Sequence, residues 1–127
     1  MDLKFGTDYP DSCPPSFAEP INGEYYRLCD CNPPTSNDFK THVDAKMSFP
    51  PAKLCEAKAL SFFSNERDAI KIKNRFPKLK NKIPVVVNIV SNHGVGLEIN
   101  GHLNLWEFQG INLLNFIKED YNEAAEV

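Results

Sequence analysis

Arg27 lies in "YYRLC", Tyr25 to Cys29, a run otherwise aromatic and apolar. A guanidinium in such a setting needs an acidic partner or a ligand anion, unless it is an ordinary arginine on an exposed strand face. The histidines are His42, His93 and His102, and none has an Asp or Glu at a diagnostic spacing. His102 reads either as a solvent-facing turn residue or as a catalytic one, because Trp106 and Glu107 follow closely. No H-E-x-x-H, G-x-S-x-G elbow or glycine-rich phosphate loop is present, and the glycines of "NHGVGLEING" lie between strands with no helix start behind them.

Cys29 and Cys31 stand two apart on a strand, so both point to one face, and Cys13 and Cys55 complete a set of four thiols. Structural zinc sites use paired C-x-x-C knuckles, which this sequence lacks. The expectation is four free thiols and no metal.

The elements that must position these residues are legible from their punctuation. Residues 1–23 are rich in proline, which fixes φ and removes amide donors, favouring an extended strap pinned by Phe5, Tyr9 and Phe17. A strand over 24–31 is ended by Pro33 and Pro34, and Thr35, with Asp38 three residues on, restarts the chain as a short helix. "ALSFFS", residues 59–64, is the next strand. Asn65 caps a helix running to Phe76, with Glu66 and Asp68 in its first turn, Lys73 and Arg75 in its last, and Ala69, Ile72 and Phe76 on one face.

"IPVVVNIV", residues 83–90, is a near-continuous apolar run that predicts a central strand buried on both faces. Asn100-Gly101 then turns a hairpin. A three-residue loop, pairing Ile99 with Leu103, segregates polar from apolar better than a two-residue turn does. A last helix over "INLLNFIKEDY" precedes an acidic tail, 119–127. The order predicts a single α+β domain, a strap (1–23) packed on a core (24–118), with a mixed or antiparallel sheet and three short helices.

At 127 residues the chain can bury one core and not two, and nine phenylalanines argue against disorder. No apolar run approaches the roughly 20 residues that span a bilayer, and "MDLKFGTDYP" lacks the layout of a signal peptide, so a cytoplasmic location is expected. Half of the fourteen basic residues fall between Arg67 and Lys82, which reads as a solvated face. With a net charge of −3 nucleic acid is an unlikely partner.

The segments "YYRL", "NPPTSNDFKTH" and "CEAKALSFFSNERDAIKI" resemble a group of small uncharacterised bacterial proteins that share the arginine strand, the Asn-Pro-Pro-Thr turn and the Ala-Leu-Ser strand. More distantly, an early strand bearing Arg, a strand bearing Ser followed by a helix, and a buried strand look like the layout of ADP-ribosyltransferase-like domains. That resemblance implies a domain that binds NAD or a related nucleotide and transfers ADP-ribose. It casts Arg27 in the role of phosphate ligand and Ser61, with Phe62 or Phe63, in that of nicotinamide pocket, while Glu107 or His102 assists at the ribose. The rival expectation is a non-enzymatic immunity or accessory protein of a bacterial defence system, acting by protein binding through the strap and the acidic tail.

Overall fold

A computed structural model describes residues 1–118; the acidic tail lies outside the described residues. Six strands, β1 (Glu19–Pro20), β2 (Gly23–Cys29), β3 (Leu60–Phe63), β4 (Ile83–Ile89), β5 (Gly94–Ile99) and β6 (His102–Glu107), form one sheet in the order β1-β5-β6-β3-β2-β4. Every pairing is antiparallel. Two α-helices, α1 (Leu54–Ala57) and α2 (Glu66–Arg75), and four 3-10 turns complete an α+β domain.

Helix α2 starts where its cap chemistry dictates, with the Asn65 side chain accepting from the Asp68 N–H at 2.8 Å. It ends ahead of Pro77, and Ala69 is its fully buried contact. The other two expected helices shrink. Thr35 is followed by a single 3-10 turn, Ser36–Phe39, and the last expected helix is reduced over its described part, 111–118, to another, Leu113–Phe116, its residues 119–121 lying outside the described residues. In the first, the Asp38 carboxylate accepts from the N–H groups of Asp30 (2.7 Å) and Thr35 (2.9 Å). These local bonds satisfy the turn without further helix.

One face of the sheet carries the core. Tyr25, Leu60, Phe62, Val87, Ile89, Leu103 and Leu105 share it, and Phe39 and Leu113 close over it. The expectation of a central β4 is corrected, because β4 is an edge strand whose burial alternates, Val85, Val87 and Ile89 inward. Its apolar run survives at the edge because Ile117 bridges Val87 and the Lys118 N–H reaches the Val86 carbonyl at 2.9 Å. An edge covered in this way offers no free ladder there.

The hairpin is also corrected. Asn100 (φ 52°) and Gly101 (φ 81°) form a two-residue turn and Ile99 pairs with His102, as positive φ at both central residues favours. The burial argument fails because the core-facing positions of β5 are Gly94 and Gly96, with no side chain to bury. A Cβ on Gly96 would lie 2.6 Å from Ile21 Cγ1, so the strap fills that space instead. Glu98, on the same face at its open end, accepts from the Tyr25 hydroxyl at 2.8 Å.

The strap is held by chemistry that composition alone does not show. Cys13 and Cys55 form a disulfide with a Cα–Cα distance of 5.6 Å, which corrects the expectation of four free thiols; only Cys29 and Cys31 remain free. Lys58, buried, reaches the Asp8 carbonyl and carboxylate and lies over the rings of Phe5 (5.0 Å) and Tyr9 (5.4 Å). Phe17, expected to anchor the strap, is exposed. No helix among the described residues is long and apolar enough to cross a membrane.

Candidate functional site

Opposite the core face, the sheet forms the floor of an open cleft of about 840 Å³. Ser61 and Phe63 of β3 and His102 and Asn104 of β6 alternate onto this face, where Ser61 lies opposite Asn104 and Phe63 opposite His102. One wall is the chain from Ala45 to Glu56, including Phe49, and the other is Ile72, Phe76 and the turn around Lys78.

Arg27 enters the cleft through a gap in the sheet. β2 and β3 share only one registered pair, Tyr26 with Phe63, and then diverge. In a continued ladder the Ser61 carbonyl would meet a β2 amide; instead Arg27 Nη1 donates to it at 2.9 Å. Arg27 Nε donates to the Asp38 carbonyl at 2.9 Å and Nη2 to that of Lys40 at 3.5 Å. The turn after the prolines thus supplies carbonyls that fix the guanidinium. Arg27 has no carboxylate in ion-pair contact among the described residues. Burial pulls its pKa down, an effect partly offset by the more distant charges of Cys29, Glu107 and Asp38. A guanidinium nonetheless stays cationic.

The surroundings reinforce that positive field. Lys40 and Lys78 line the cleft with no ion-pair partner among the described residues, whereas Lys82 is tied to Asp30 (2.9 Å) and Lys53 to Glu56 (3.5 Å). His42 titrates below its ordinary range, first through burial and then through the charges of Arg27 and Lys78. An anion seated among these groups would relieve their mutual repulsion.

Ser61 Oγ and His102 Nε2 stand 2.5 Å apart on the floor, both half-buried. Burial lowers the His102 pKa, so the imidazole is neutral at pH 7 and one ring nitrogen is free to accept a proton. Arg27, Ser61 and His102 are therefore brought together. Phe62 is not with them, since it is fully buried on the core face, while Phe63 faces the cleft.

Glu107 is also apart. It lies five residues from His102 on the same strand, hence on the opposite face, buried and 3.6 Å from Lys4, which also pairs with Asp44 at 2.5 Å. Burial pushes its pKa up in spite of Lys4. His93 is buried outside the cleft, where its Nδ1 accepts from the Val90 N–H (2.9 Å) and its ring meets Phe116 edge-on. The Cys29 thiol is pushed up to about 12, chiefly by burial, and is inert as a nucleophile. Among the described residues no group of three or more His, Cys, Asp or Glu is placed to hold a metal.

Sequence reasoning left Lys40, His42, Lys78 and Asn104 out of the site. Only Asn104 carried a signal, because strand parity puts it on the His102 face. The others arrive on loops whose course depends on tertiary packing. No family model, curated protein or solved structure matches the chain.

Proposed function

We propose that the cleft binds a phosphate-bearing small molecule of the nucleotide class, with NAD and ADP-ribose as the first ligands to try. The observation that carries this reading is Arg27, a guanidinium fixed by three carbonyls, with no carboxylate in ion-pair contact among the described residues, that faces a cavity whose lysines outside ion pairs among those residues are Lys40 and Lys78. In this reading the phosphate sits among these cations, and Phe49, Phe63 and Phe76 offer apolar and aromatic surface to a base. Ser61 and His102 contact the sugar or nicotinamide end.

The proposal stops at binding. Glu107, the carboxylate that ADP-ribose transfer would draw on, faces away from the cleft, and Glu56, which lines it, is paired with Lys53. The disulfide favours an oxidising compartment over the cytoplasm.

Calorimetric titration with NAD, ADP-ribose and ATP tests the reading. Because Arg27 also holds the sheet, the informative variant is Lys40→Gln with Lys78→Gln. Loss of a charge-assisted phosphate contact is worth about 1.5–3 kcal/mol, so affinity should fall roughly 10- to 100-fold. Absence of heat with every nucleotide would overturn the proposal and return attention to protein binding.

A further inference from the structure

The structure assigns Ser61 the role of a covalent nucleophile with His102 as its general base, giving the cleft a hydrolase or acyl-transferase activity toward carboxylic esters that carry a negative charge.

The assignment begins with geometry. Ser61 Oγ lies 2.5 Å from His102 Nε2, a hydrogen bond held between neighbouring strands of one sheet rather than between loops. β3 pairs Phe63 with His102 directly, so Ser61 meets His102 on the diagonal, and two backbone ladders fix both Cα positions. A nucleophile and a base within hydrogen-bond reach on rigid elements are the first requirement for hydroxyl activation. The pair also opens onto a cavity of about 840 Å³, room for a substrate of several dozen atoms or fewer.

The groups around the pair suit the charge that would develop. Nucleophilic attack by Oγ on an ester carbonyl forms an Oγ–C bond and an oxyanion as the hydroxyl proton passes to Nε2. Collapse breaks the bond from carbon to the leaving oxygen, which takes that proton. Water then repeats the sequence and frees Ser61. Arg27 is held at the carbonyl of Ser61 itself, which sets a fixed positive charge beside the reacting residue. Asn104, directly opposite Ser61 and lining the same cleft, brings an amide donor to the same face. Preorganised donors of this kind act on the oxyanion. Lys40 and Lys78 bias the substrate toward anionic esters.

This activity goes beyond nucleotide binding and does not depend on it, because the test reads the serine and not the ligand. Intact-protein mass spectrometry follows labelling by a fluorophosphonate probe, in which Oγ displaces fluoride and becomes phosphonylated. One adduct is expected on the native chain, mapped to Ser61 by peptide analysis and absent from Ser61→Ala. Ser91→Ala, which changes an exposed serine outside the cleft, should label as the native chain does. General-base assistance is worth roughly 10²- to 10⁴-fold, so His102→Gln should label at least about 100-fold more slowly. Should His102→Gln fail to fold, the native chain unfolded in urea serves in its place and should lose the adduct. No adduct at Ser61, an adduct on another serine, or undiminished labelling of His102→Gln or of the unfolded chain would overturn the assignment.

Discussion

Arg27→Met isolates the structural role of the guanidinium, because methionine keeps an unbranched apolar stem near the Phe62 ring and removes all five donors. Two of its bonds are short, 2.9 Å to Ser61 and 2.9 Å to Asp38. The third, 3.5 Å to Lys40, is long and exposed and adds little. Each short bond from a charged donor contributes about 1.5–3 kcal/mol. Removing a half-buried cation also removes its desolvation penalty, which offsets part of the loss, so a net destabilisation of about 2–4 kcal/mol is expected. Against a typical total of about 5–15 kcal/mol that is a large share. It corresponds to a fall in Tm on the order of 10 °C. Urea unfolding at fixed pH measures it, and an unchanged slope would show that the denatured state is not the cause. Arg27→Lys, which can reach one carbonyl at a time, should fall between the two. A Met variant within about 0.5 kcal/mol of the native chain would refute the claim that this side chain substitutes for the missing ladder.

Reduction of Cys13–Cys55, which spans 42 residues, should lower stability by about 2–4 kcal/mol, seen as a shift of the thermal midpoint between oxidised and reduced samples. Burial depresses the pKa of His93 and His102, so their folded forms bind fewer protons. Their stabilising contribution is complete above the ordinary value of 6.5 and is lost as pH falls below it; His93→Gln should flatten that part of the pH–stability curve. Glu107 has the opposite sign, its raised pKa meaning a penalty that is present at neutral pH and gone once pH drops below 4.5. Glu107→Gln should therefore gain about 1 kcal/mol at pH 7, a gain that disappears in acid unfolding curves.

The α+β class, helix α2 with its Asn65 cap, and the seats of β2, β3 and β4 were legible because caps, prolines and apolar runs act locally. What failed was set by partners distant in sequence. The apolar run of β4 spoke for a centre, yet strand order is decided by which neighbour supplies cover, and here Ile117 and Lys118 do so from the chain's far end. The hairpin register turned on the glycines of β5, whose empty face made the turn chemistry of Asn100-Gly101 decisive. Arg27 was recognised as anomalous from its neighbours, but its partners are backbone carbonyls, which no side-chain pattern advertises. Reading Glu107 beside His102 overlooked strand parity, which sends residues five apart to opposite faces.

The single registered pair between β2 and β3 has a dynamic consequence. On one side of that seam lies the β2–β4 ribbon and on the other the four-strand ribbon β1-β5-β6-β3, with α2 packed against strands of both. Each ribbon is a continuous hydrogen-bonded unit, and the two are joined by one backbone bridge, one guanidinium, the packing of α2 and the shared apolar face. Opening along the seam breaks few hydrogen bonds, so it requires less free energy than global unfolding. Native-state amide exchange should then divide the sheet into two cooperative units, and a ligand that grips Arg27 and the β3–β6 floor together would fuse them into one.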